Sequence, residues 1–247
     1  MTASGPVALL VGAGDPIGAA VARRFAAGGL QVCVARRDVA KARALIDEVA
    51  ASGGKLKAFS VDARQESQIQ ELFAKIEGEV GPIEVCLYNA GSNVNTPLLD
   101  TSESLFRKAW ELACYGGFLT GREAARAMVP RGHGTILFTG ATASVRGGPG
   151  FAAFASAKFG LRAVAQSMAR ELGPKNIHVA HLLIDGGVDS EAIRKRMRAR
   201  IGDAVDSLPT NTLIQTKAIA EAYWNLHTQP TYGWTHELDL RTSIERW

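Results

Sequence analysis

At 247 residues the chain exceeds the ~100–200 usual for one domain, yet single α/β domains reach ~250, so residues 1–247 are expected to form one domain. Its 47% apolar and 21% charged residues exclude disordered and fibrous classes. With 28 basic against 24 acidic residues the net charge is only +4, and 7% aromatic content gives no sign of a nucleic-acid partner.

The predicted elements alternate along the chain. An apolar run, Val7–Val11, reads as a strand. It is followed by Gly12-Ala13-Gly14-Asp15-Pro16-Ile17-Gly18 and a helix over 17–27. Glycines there let the backbone approach a pyrophosphate, and a helix N-terminus offers unpaired N–H groups and partial positive charge, so the turn points to dinucleotide binding rather than a plain βα turn. Asp15 suits the N-cap and Pro16 the first turn. A strand over 31–35 ends at Arg36-Arg37-Asp38. An NAD site places a carboxylate here for the ribose hydroxyls, whereas guanidinium groups suit the 2′-phosphate of NADP.

A helix over 39–51, a strand over 56–61, a helix over 66–79 and a strand over 83–87 continue the alternation. A long helical stretch spans 102–129, followed by a strand over 134–139, a helix over 151–172 and a strand over 177–184. After a helix over 217–227 comes a last strand over 234–240. This β-α order, with strands that are mostly continuous apolar runs, predicts a Rossmann-type doubly wound parallel sheet of about seven strands with helices on both faces. One irregular insertion, about 186–216, is long enough to cover a site. It holds five basic residues between Arg194 and Arg200, which suit a solvated helix face or an anion-attracting patch.

Cys33, Cys86 and Cys114 are odd in number and lack CxxC spacing, so neither a disulfide framework nor a zinc site is expected, and a reducing, cytoplasmic compartment fits best. The five histidines show no ligand spacing, so no metal is expected. No run approaches the ~18 apolar residues of a membrane span.

Four motifs in order carry a resemblance to the short-chain dehydrogenase/reductase family over essentially the whole chain. Gly12 to Gly18 stands where that family has TGxxxGxG, and Val61-Asp62-Ala63 resembles its adenine-ring turn. Tyr88-Asn89-Ala90-Gly91 resembles its NNAG, and Ala153 to Lys158 resembles its YxASK helix. The resemblance implies cofactor roles for Gly12, Ile17 and Gly18 at the pyrophosphate and for Asp62 and Ala63 at the adenine. It implies the same for Asn89, Ala90 and Gly91 beside the ribose, for Val188 after strand six, and for Lys158. Taken alone, Asp62 also suits a turn cap, and Asn89 a bridge between strands. The resemblance further implies a homodimer or homotetramer acting on a small-molecule substrate, while the composition and the lack of a long apolar run lead us to expect no nucleic-acid or membrane partner.

The departures concern catalysis. Family members protonate a carbonyl with a tyrosine four residues before the lysine, assisted by a serine and an asparagine. Here those places hold Phe154, Ala141 and Ala113. The tyrosine place of enoyl-reductase relatives holds Phe151. Hydroxyls at Thr139, Thr142, Ser144, Ser156 and Tyr115 lie near in sequence, but an aliphatic hydroxyl is a far weaker acid than a phenol. Lys158 itself can donate a proton if burial tunes it toward neutral pH. The family's PG reads Asp185-Gly186, which threatens to bury a charge. Pro16 removes an N–H from the first loop, and Asp15 opposes Arg36 and Arg37 on a 2′-phosphate. Three readings stay open: an NADP(H)-dependent oxidoreductase with an atypical active site; a catalytically inactive family member acting as a nucleotide-binding or partner subunit; and a lyase or isomerase in the same pocket. NADP(H) is expected over NAD(H).

Overall fold

A computed structural model describes residues 5–13 and 16–245. Seven parallel strands form one sheet in the order β3-β2-β1-β4-β5-β6-β7. They are β1 (Val7–Val11), β2 (Gln31–Arg36), β3 (Leu56–Ser60), β4 (Ile83–Tyr88), β5 (Thr135–Thr139), β6 (His178–Ile184) and β7 (Glu237–Leu240). The helices are α1 (Pro16–Ala27), α2 (Arg43–Ala51), α3 (Glu66–Glu79), α4 (Glu103–Trp110), α5 (Gly116–Met128), α6 (Ala152–Leu172), α7 (Glu191–Ile201) and α8 (Thr216–His227). The expected doubly wound sheet is thus present.

Two cores flank the sheet because successive strand residues face opposite ways. Val7, Leu9 and Val11 pack with Ile69 of α3, Leu119 of α5 and Leu161 of α6. Ala8 and Leu10 pack with Phe25 of α1, Val49 of α2 and Tyr223 of α8. The strand order reverses between β1 and β4, and in such sheets ligands bind in the crevice beyond the carboxyl ends at that point.

Some boundaries differ from expectation. The helix expected over 39–51 opens as a 3₁₀ turn, Val39–Ala42, before α2. The stretch expected as one helix over 102–129 is interrupted by a π turn, Glu111–Tyr115. There the Tyr88 hydroxyl donates to the Leu112 carbonyl, and a side chain inserted into the helical ladder is a known cause of such irregularity. Gly116, next along, has no room for a Cβ beside that same hydroxyl. The last strand is shorter than 234–240. Trp234 precedes it and stacks on His178, ring centroids 5.0 Å apart.

Candidate active site and cofactor cleft

Two adjoining clefts open at the carboxyl ends of the strands, with Asn89 and Gly91 lining both. The smaller, about 300 Å³, gathers Gly12, Arg36, Arg37, Asp62, Ala63 and Ala90 from four different strand ends. The larger, about 610 Å³, takes Ile17, Ala141, Phe154, Lys158 and Val188. Gly18 and Ala113 line neither. A Cβ on Gly18 would stand 2.5 Å from the Ala13 Cα, so this glycine lets α1 pack against the turn. Ala113 is fully buried within the π turn.

Gly12 adopts φ +89°, and a Cβ there would collide with the Ala90 backbone. The Gly12 turn and the Asn89–Gly91 segment therefore meet backbone to backbone. Asp15, expected to cap α1 and to oppose Arg36 and Arg37, lies outside the described residues, as does Gly14. Pro16 is the first residue of α1, as expected.

Charge in the smaller cleft is unbalanced. Its two carboxylates have partners: Asp38 lies 3.5 Å from Lys41 Nζ, and Asp62 accepts the Arg64 Nε at 2.9 Å and the Arg64 backbone N–H at 3.1 Å. The Arg64 guanidinium holds the Asp62 carboxyl below the usual carboxylate range. Asp62 is thus a cap of its own turn as well as a cleft residue. Among the described residues, neither Arg36 nor Arg37 makes an ion pair, and the Arg36 Nε is buried without a hydrogen-bond partner. Arg36 and Arg37 both line this cleft, and two guanidinium groups side by side suit a multivalent anion such as a ribose phosphate.

Asn89 bridges strands. Its Nδ2 donates to the Gly12 carbonyl at 3.2 Å, and its Oδ1 accepts the Thr139 hydroxyl at 2.9 Å. Thr139 Oγ1 lies 2.7 Å from the Tyr223 hydroxyl of α8, so a buried chain of polar groups runs through the sheet to the cleft. Sequence reasoning missed Tyr223, which sits in an ordinary amphipathic helix pattern.

Lys158 stands where the clefts meet. It is only 4% exposed, its Nζ donates to the Thr139 carbonyl at 2.7 Å, and a Cβ on Gly91 would stand 3.4 Å from that nitrogen. One helical turn earlier on the same face, Phe154 lies with its ring centroid 6.0 Å from Nζ and packs on Phe151 at 6.5 Å. Phe154, Ala141 and Lys158 therefore converge on one cleft, which presents no phenol there.

The neighbouring hydroxyls are engaged. Ser144 is fully buried and accepts the Ala141 N–H, and Ser156 donates to the Ala153 carbonyl; the Tyr115 ring, which does not line the larger cleft, stacks between Trp110 and Phe118. Thr142 does line the cleft, and its hydroxyl donates to Asp185. Asp185 is buried as feared, but the Arg241 guanidinium lies 3.1 Å away, a partner 56 positions distant that no local pattern signals. In the insertion, Gly186, Gly187, Val188 and Ile193 form one wall of the larger cleft. The basic helix α7 buries no side chain, and Arg194 and Arg198 pair with Asp189 and Asp206. None of the described helices is long and apolar enough to cross a membrane.

A family model described as short chain dehydrogenase matches residues 6–200. A short-chain dehydrogenase/reductase from Armillaria gallica is 32% identical over 178 residues, covering 71% of this chain and 68% of that protein. The crystal structure of a short-chain dehydrogenase from Rhodopseudomonas palustris is 47% identical, with TM-score 0.82, covering 96% of this chain and 98% of that one. A metagenomic short-chain oxidoreductase in complex with NADP shares the fold, with TM-score 0.81 and 24% identity over 99% of this chain and all of that one (100%).

Proposed function

The chain belongs to the short-chain dehydrogenase/reductase family, and on that premise we propose that it is an NADP(H)-binding oxidoreductase with an atypical active site. The observation that carries the cofactor choice is the pair of guanidinium groups, Arg36 and Arg37, lining a cleft whose carboxylates lie beside other cations and making no ion pair among the described residues. The NADP complex of a protein with the same fold supports it.

When bound, the cofactor supplies or accepts a hydride. Arg36 and Arg37 hold the 2′-phosphate. Gly12, Ile17 and Gly18 form the turn at the pyrophosphate, and Asp62 and Ala63 bound the adenine side. Asn89, Ala90, Gly91 and Lys158 bound the nicotinamide-side ribose, and Val188 the ring.

At the reacting end, Phe154 and Ala141 offer no proton. Positioning of hydride donor and acceptor does most of the work, and a proton comes from Lys158, water or the substrate. A conjugated C=C suits such a site better than a simple ketone.

The Phe154 ring equally favours a second reading, a catalytically inactive nucleotide-binding or partner subunit. NADPH consumption measured across carbonyl and enoyl panels, with a parallel binding titration, separates the two. Turnover supports the first; binding without turnover supports the second.

A single domain with the 186–216 segment as a substrate wall, acting on a small molecule in the cytoplasm, completes the proposal. Cys33, Cys86 and Cys114 are buried free thiols. Phe106, Trp110, Phe118 and Phe159 are exposed on α4, α5 and α6, which supports a homodimer or homotetramer that light scattering would reveal.

A further inference from the structure

The larger cleft has an apolar body and one cationic rim. Phe151, Phe154, Ala143 and Ile193 supply apolar surface, and the only charged residues lining it, among those described, are Lys158 and Arg146. Lys158 is buried and bonded to the Thr139 carbonyl. Arg146 is different: its side chain is 50% exposed, and its one ion-pair contact is a long 3.9 Å approach to Asp185. That carboxylate is already served by Thr142 and by Arg241 at 3.1 Å, so Arg146 can turn to a ligand at little cost.

The surroundings leave space for one. A Cβ on the adjacent Gly147 would meet nothing within 4 Å, and Ser92 and Asn93 add polar groups to the same cleft. Asp185 and Glu245 approach the wall without lining it, and both lie in the field of Arg241.

We propose that Arg146 makes the outer end of this cleft a carboxylate subsite, so that the substrate is an organic acid with an apolar body. This inference rests on the oxidoreductase reading above for its word substrate, but the subsite stands on its own geometry. A guanidinium binds a carboxylate through paired, charge-assisted hydrogen bonds, which an uncharged amide of the same shape cannot reproduce.

The test is calorimetric titration of cinnamate against cinnamamide and octanoate against octanamide, on protein with and without saturating NADPH. The acid of each pair is expected to bind about tenfold or more tightly than its amide. Arg146→Gln should bring the two within about twofold, and Arg146→Lys should keep part of the difference, with NADPH affinity unchanged in both. Circular dichroism should show both variants folded, since Arg146 is half exposed. Equal affinity of acid and amide in the wild type, or no binding of either acid at millimolar concentration, overturns the proposal. So does an Arg146→Gln variant that weakens NADPH as much as the acids, because Arg146 would then serve the cofactor. Failure of NADPH to bind the wild type defeats the cofactor reading alone, and the acid–amide comparison on unloaded protein still decides the subsite.

Discussion

Arg241 lies 3.1 Å from Asp185, joining the segment after the last strand to the end of β6, and through Thr142 to the wall of the larger cleft. Both side chains are largely buried, Asp185 at 7% and Arg241 at 17% exposure. Removing Arg241 leaves the buried Asp185 carboxylate with only the Thr142 hydroxyl and the more distant Arg146 for partners among the described residues, which is unfavourable for a buried charge. Arg241→Ala is therefore expected to lower stability in urea denaturation, and adding Asp185→Asn should recover part of it. An unchanged urea midpoint in Arg241→Ala would show that Thr142 and Arg146 suffice for the carboxylate.

Stability should also fall in acid through His181. It is fully buried on β6, with Nδ1 3.1 Å from Glu237 and Nε2 without a hydrogen-bond partner among the described residues. Burial, only partly offset by Glu237, lowers its pKa to about 4, against ~6.5 in an unfolded chain. The unfolded state thus binds a proton that the folded state refuses, so stability drops as pH falls from ~6.5 to ~4, by roughly 3 kcal/mol. His178 and His227, lowered by burial, act with the same sign. Glu237, held low by Arg162, loses its own contribution only as pH falls below the usual glutamate range. Thermal unfolding from pH 8 to pH 4.5 should show a smaller acid loss for His181→Gln than for wild type. Identical pH slopes would contradict this assignment.

The apolar runs of β1, β4, β5 and β6 were readable because strands covered on both faces carry little but apolar residues. Gly12 and Gly18 were expected at a pyrophosphate; the structure adds that each is required by close approach within the protein, to Ala90 and to Ala13. The break at Glu111–Tyr115 was not, because it depends on the Tyr88 hydroxyl arriving from a distant strand. The same holds for Tyr223 behind Asn89, Arg241 behind Asp185 and Arg146 at the cleft rim, whose meaning lies in partners far along the chain. The turn cap at Asp62 was readable because its partner, Arg64, is two residues away.

The missing acid gives a gain-of-function expectation. Phe154→Tyr adds one oxygen to a ring already packed beside Lys158, and Ala141→Ser restores a hydroxyl on the same cleft. The wild type should reduce simple aldehydes and ketones poorly. The double variant should do so measurably faster, since general acid catalysis is typically worth ~10²–10⁴-fold. Rapid ketone turnover by the wild type would mean that another group donates the proton. A folded, NADPH-binding double variant with no gain would favour the inactive-subunit reading.

The central claim, that Arg36 and Arg37 select NADP(H), is tested most directly by calorimetric titration of NADPH and NADH into the wild type and Arg36→Ala. A charge-assisted guanidinium–phosphate contact worth roughly 1.5–3 kcal/mol predicts NADPH binding ~10–150-fold tighter than NADH, with most of that ratio lost in the variant. NADH binding as tightly as NADPH, or tighter, in the wild type would contradict it.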